Sequence, residues 1–157
     1  VALTQAICAQ RLADLVDFEM NSNPADIAQV RAAAREQGMG LILSFHNFQQ
    51  TPPQHAICQR FAQAQQLGAD VAKVAVMPQR LEDVLAVLGA TLESSQALDI
   101  PLISMSMGGY GAITRLFGGV FGSAMSFAVG ATASAPGQVP IEDMNAITTL
   151  LRKAMGN

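Results

Sequence analysis

Apolar runs centred near positions 15, 42, 73, 103 and 126 are each followed by a segment with the spacing of a helix, and this alternation limits the possible folds more than any other feature. A strand can reach a parallel neighbour only through a crossover of a dozen or more residues, usually a helix, so the pattern demands a mainly parallel sheet covered by helices. Leu3, Ala6 and Ile7 mark a first helical face, and residues 12–20 read as a strand with acids on alternating positions, ending in Asp17 and Glu19. Asn23 and Pro24 then open a helix carrying Ile27, Val30, Ala33 and Ala34, which stops at Gly38. A second strand over 41–48 carries His46 near its end, and a helix opened by Thr51-Pro52-Pro53 runs to Leu67 and Gly68.

The third strand, 69–78, holds Lys73 among Val, Ala and Met, and a long helix over 79–98 follows, with Leu81, Val84, Leu85, Leu88 and Leu92 on its expected buried face. The fourth strand, 101–107, precedes a short helix containing Arg115. A fifth is expected over 123–129, then a loop at 134–138 and a closing helix over 141–155 with Met144, Ile147, Leu150 and Leu151 inward. The chain reads as one domain, 1–157, of five βα units without a linker. Two architectures fit: an open doubly wound sheet, or part of a (β/α)8 barrel. A complete barrel takes about 250 residues, and an arc of one leaves two unpaired edges.

Half of the 157 residues are hydrophobic, enough for a sizeable core. Net charge is -3, no basic run occurs and aromatics make up 5%, so neither a phosphate-tracking surface nor a base-stacking platform is present, which argues against nucleic acid. No apolar run approaches the roughly 20 residues that span a bilayer, and no secretory leader is visible; the expectation is a cytoplasmic protein without a membrane partner. Cys8 and Cys58 form no CxxC and no histidine stands at metal-ligand spacing, so no metal is expected. The chain begins at Val1 in what reads as the tail of a helix, as a piece of a longer polypeptide would.

In either architecture the chemistry collects at the carboxyl ends of the strands. The candidates there are Asp17, Glu19, His46, Lys73, Met105 and Met107, with Arg115 and the 134–138 loop. Lysine is depleted in strands and seldom buried without a partner or a use. Desolvation disfavours an ammonium relative to the free amine, and a free amine attacks carbonyls to form Schiff bases. Each residue alone has a structural explanation: Lys73 snorkelling or paired with an acid such as Asp70, a core histidine, packing methionines, a solvated arginine. Together they suit an imine-forming site, with lysine as nucleophile, histidine as proton carrier and arginine as a fork for a carboxylate. Gly108-Gly109-Tyr110-Gly111 lacks the spacing of a phosphate loop, and no GxSxG serine is present.

The motifs Leu43-Ser44-Phe45-His46-Asn47-Phe48 with Thr51-Pro52-Pro53, Ala72 to Pro78, Ser104 to Met107, Thr114-Arg115-Leu116, Phe121-Gly122-Ser123 and Ala133 to Gln138 resemble, in order and spacing, type I 3-dehydroquinate dehydratase. The resemblance implies the C-terminal five βα units of a (β/α)8 TIM barrel, with three units of the family lying before residue 12. It also implies a lyase of the shikimate pathway, serving aromatic amino acid biosynthesis, that converts 3-dehydroquinate to 3-dehydroshikimate. By similarity Lys73 forms the imine and His46 is the general acid and base. Arg115, Ser134 and Gln138 hold the substrate carboxylate and ring, Met105 and Met107 wall the imine, and Asp17 and Glu19 stand at the neighbouring strand end. No metal or organic cofactor is implied, and a homodimer is expected. A class I aldolase would also set a lysine on a barrel strand, but the Ser-Ala-Pro-Gly-Gln loop and the His46 motif argue against it. A self-associating, catalytically inactive module is the alternative from another class.

Overall fold

The computed structural model describes residues 1–132 and 137–156. The elements run α1 (Ala2–Ala9), β1 (Leu15–Glu19), α2 (Pro24–Glu36), β2 (Gly40–Asn47), α3 (Gln54–Gln66), β3 (Val71–Val76), α4 (Leu81–Ala97), β4 (Leu102–Ser106), α5 (Ala112–Phe117), a 3-10 turn at Gly118–Phe121, and α6 (Ile141–Met155). Local chemistry sets most boundaries. Asn23 accepts a hydrogen bond from the Ala25 amide at 2.9 Å with Pro24 in the first turn, so α2 starts where its orphan amides have a partner. Gly38 and Gly68, at φ +66° and +82°, let the chain leave α2 and α3 through the left-handed region. Asp83 accepts from the amides of Gln79 and Arg80, fixing the entry to α4 after Pro78.

Among the described residues four strands form one parallel sheet in the order β1-β2-β3-β4, in register at Glu19, Ser44, Lys73 and Ile103 across its width. Period-two alternation gives its faces different characters. Val16, Leu41, Leu43, Phe45, Ala72, Val74, Val76 and Leu102 point to one side, where they pack with Cys8 of α1, Ile27, Val30 and Ala34 of α2, Ile57, Phe61 and Ala64 of α3, and Val87 and Ala90 of α4. Ile42, Val71, Ala75, Ile103 and Met105 form a smaller apolar layer separate from that core. The helices α1 to α4 thus cover a single face, as they do around a barrel and not in a doubly wound sheet, whose helices lie on both faces.

Four expectations change. The 123–129 segment is not a strand: Ser123 makes one parallel bridge to Leu102, and the Ala124 amide donates to the Leu102 carbonyl at 2.7 Å. Ser126 Oγ then donates to the Arg115 carbonyl and Arg115 Nη1 reaches the Phe127 carbonyl, tying the segment to α5 instead of continuing a ladder along β4. On α4, Val84 and Leu88 are buried as expected, but Leu81, Leu85 and Leu92 are exposed, and Val87, Ala90, Thr91 and Ser94 take their place. The Thr91 hydroxyl donates to the Val87 carbonyl at 2.6 Å and lies 2.7 Å from the Ser104 hydroxyl, so this small, partly polar face sits against β4 with its buried groups paired. Finally, α6 buries no residue: Met144, Ile147 and Leu151 are half-buried and Leu150 is exposed. Similarly, α1 turns Ile7 and Cys8 inward and leaves Leu3 in solvent.

The glycines after β4 have a structural use. Gly108 adopts φ +70°, and a Cβ on Gly111 would collide with the Ser106 carbonyl, so the turn into α5 closes only without side chains there.

Candidate active site

The inner face of the sheet becomes polar toward its carboxyl end, because β1 contributes Asp17 and Glu19, β2 Ser44 and His46, and β3 Lys73, at positions two apart within a strand. Parallel register then pairs them. Lys73 Nζ stands 2.6 Å from Asp17 Oδ2, and its side chain is 11% exposed. Its partner is therefore the edge-strand acid and not Asp70, whose carboxylate accepts from the Leu41 amide at 2.8 Å. The other oxygen of Asp17, Oδ1, accepts a hydrogen bond from the Ser44 hydroxyl. Beside this set, His46 Nδ1 lies 2.6 Å from Glu19 Oε2. A carboxylate there favours the proton on Nδ1, which leaves Nε2 of the neutral ring as the basic nitrogen.

These pairs face a cavity of about 270 Å³ lined by His46, Phe48, Lys73, Ala75, Met105, Met107, Arg115, Phe127 and Gln138. Six of the residues singled out in the sequence meet there: the lysine, the histidine, both methionines, the arginine and Gln138. Asp17 and Glu19 reach it through Lys73 and His46. Ser134 lies outside the described residues. Arg115 is 4% exposed, and burial pulls its guanidinium below the ordinary arginine range, although an arginine stays charged. Its Nη1 lies 3.4 Å from Met105 Sδ, which fixes the head group at the cavity wall. Among the described residues no group of three or more His, Cys, Asp or Glu side chains is placed to hold a metal ion. A larger cleft, about 470 Å³, opens between α5 and α6, but of the candidate residues it contains Arg115 alone.

Two aromatic residues were missed by sequence reasoning. Phe48 stacks on His46, rings 5.7 Å apart and 4° from parallel, and the Phe127 ring lies 5.1 Å from Lys73 Nζ, within cation–π range. Phe48 was legible in principle, two positions beyond His46. Phe127 was not, because it arrives from the irregular segment that replaces the fifth strand.

The fold and site define a parallel α/β protein whose helices flank one face of the sheet, and whose other face carries a carboxylate-paired lysine and a carboxylate-paired histidine at the strand ends. The family model of type I 3-dehydroquinase matches residues 1–155, and the chain belongs to that family. It is 59% identical over its full length to the 3-dehydroquinate dehydratase of Albidiferax ferrireducens, and 51% identical over 96% of its length to that of Geobacillus thermodenitrificans. The crystal structure of 3-dehydroquinate dehydratase from Geobacillus kaustophilus HTA426 superposes with a TM-score of 0.94 at 48% identity, covering 97% of this chain and 59% of that one. The type I 3-dehydroquinate dehydratase from Clostridium difficile with covalent modified comenic acid superposes at 0.93 with 40% identity, covering 98% of this chain and 61% of that one. The chain spans about 60% of the length of the curated relatives it matches. No helix among the described residues is long and apolar enough to cross a membrane.

Proposed function

We propose that this chain carries the imine-forming half of a type I 3-dehydroquinate dehydratase, in an arc of a (β/α)8 barrel that spans its five C-terminal units, the fifth entered by the irregular 123–129 segment in place of a paired strand. The reading rests on one observation above others: Lys73, His46 and Arg115 line the same cavity. Lys73 attacks the C3 ketone of 3-dehydroquinate, and loss of water gives the protonated imine, a sink for the electrons of a C2 carbanion. Asp17 Oδ2 is the nearest acceptor for the proton that must leave Nζ before attack. His46 Nε2 removes the C2 proton while Glu19 holds the ring through Nδ1 and balances the imidazolium that forms. Departure of the C1 hydroxyl with a proton from His46 forms the C1–C2 double bond, and hydrolysis of the imine returns the amine and releases 3-dehydroshikimate. Arg115 offers a fork to the substrate carboxylate, with Ser134 and Gln138 beside it, and Met105 and Met107 give the imine an apolar wall. The organic chemistry needs no metal, since the lysine is itself the electrophile-forming group.

The Clostridium difficile relative carries covalent modified comenic acid, which fits a site that bonds its ligand. The test is intact mass after mixing the chain with 3-dehydroquinate and sodium borohydride. Besides the N-terminal amino group the chain has two lysines, Lys73 and Lys153, and peptide mapping tells the three amines apart. One adduct on Lys73, absent in Lys73→Ala, is expected. No adduct from a chain folded by circular dichroism, or an adduct on Lys153, refutes the proposal.

A further inference from the structure

We infer that Ser44 is a positioning residue that sets Lys73 through Asp17, an inference that rests on the imine reading of the site. Asp17 belongs to the edge strand β1 and its side chain is 37% exposed, so its carboxylate has water available and freedom to turn. Ser44 is its opposite. It lies on β2, between β1 and β3, is 1% exposed, and stands in register with Glu19 on one side and Lys73 on the other. Its carbonyl accepts the Met20 amide at 2.8 Å, which anchors the backbone at that point. A hydroxyl buried this far must find a partner, and the Ser44 O–H donates a hydrogen bond to Asp17 Oδ1. A carboxylate held at Oδ1 by a rigid strand presents Oδ2 in one orientation, and Lys73 Nζ meets it there at 2.6 Å.

The described polar groups on this face therefore form two independent sets. Glu19 orients His46, and Ser44 orients Asp17, which holds Lys73. Every other assignment for Ser44 is poorer: the layer beside it is apolar, of Ile42, Val71, Ala75 and Ile103, and an alanine would pack there equally well. Hydroxyl and carboxylate make sense as a device that prevents the edge acid from rotating away from the nucleophile.

A double-mutant cycle tests this, with Ser44→Ala, Asp17→Ala and the pair, read in two ways. The first readout is the rate of borohydride trapping with 3-dehydroquinate. The second needs no substrate: the labelling of Lys73 by acetic anhydride relative to Lys153 in the same chain. Ser44→Ala is expected to slow trapping about tenfold, the scale of one hydrogen bond to a charged group, and to change the labelling ratio by about threefold or more. Both effects should vanish when residue 17 is already alanine. Ser44→Cys, similar in volume with a weak donor, should fall between wild type and Ser44→Ala, and thermal melts of each variant separate a loss of fold from a loss of orientation. An unchanged labelling ratio in Ser44→Ala, or an equal effect in both backgrounds, overturns the inference. Absence of any adduct in the wild-type chain overturns the imine reading instead, and the labelling cycle then still decides whether Ser44 acts through Asp17.

Discussion

Helix α4 offers a sharp test of the packing that holds β3 and β4 in place, because sequence period and tertiary structure disagree about which way it faces. Leu85 belongs to the leucine stripe that an amphipathic reading turns inward, yet it is 66% exposed, whereas Val87 is 0% exposed within the main core. Val87→Ala removes two methyl-sized groups, about 1.6 kcal/mol of burial at roughly 0.8 kcal/mol each. A cavity contribution of up to roughly 1 kcal/mol follows where the neighbours do not collapse, for a total of about 1.6–2.6 kcal/mol. Leu85→Ala removes three carbons that are one-third buried, about 0.8 kcal/mol, which the better helix propensity of alanine reduces to about 0.5 kcal/mol. At about 2–4 °C per kcal/mol for a chain of this size, Val87→Ala should lower Tm by about 3–10 °C and Leu85→Ala by no more than about 2 °C. Thermal melts followed at 222 nm measure both. If Leu85→Ala costs as much as Val87→Ala or more, α4 is rotated relative to the arrangement described, and the packing argument for the strands beneath it fails.

Other expectations concern the site and its supports. His46→Ala should reduce turnover by about 10² to 10⁴ while leaving Lys73 able to form an adduct, and a near-normal rate would remove histidine from the proton transfers. Gly111→Ala should destabilise by about 1–3 kcal/mol because its Cβ meets the Ser106 carbonyl, a fixed backbone atom; an unchanged urea midpoint would mean that the turn before α5 has room. Burial pushes the Cys58 thiol above its ordinary value of 9.0, so the folded chain keeps this proton where the unfolded chain has lost it. The stability that follows is present below about pH 9 and is lost as pH rises through the folded value. Wild type should therefore lose more stability than Cys58→Ala between pH 8 and 10 in urea titrations; equal losses would contradict it.

Much of the candidate site was legible because strand period is local. His46, Lys73 and Met105 lie on one face of their strands, with Met107 just past the end of β4, where parallel sheets gather function, and the cavity collects all four. The partners were less accessible. Asp17 meets Lys73 across 56 positions and Glu19 meets His46 across 27, and the distance between parallel strands is spanned by a helix whose length says nothing about register. Hence Asp70, a near neighbour in sequence, looked like the lysine's partner although its carboxylate caps the Leu41 amide. The fifth strand failed for a related reason: its composition suits a ladder, but hydrogen bonds to and from Arg115 draw its backbone toward α5.

The sequence by itself determined the alternation of strands and helices, most element boundaries, and the residue types able to form an imine, since these follow from side-chain period, caps and glycines acting over a few positions. Tertiary structure alone decided that the helices cover a single face of the sheet, which way α4 is turned, and that Asp17 and Glu19 stand against Lys73 and His46. Those outcomes depend on register and on close packing between segments far apart in the chain, and no local preference encodes either.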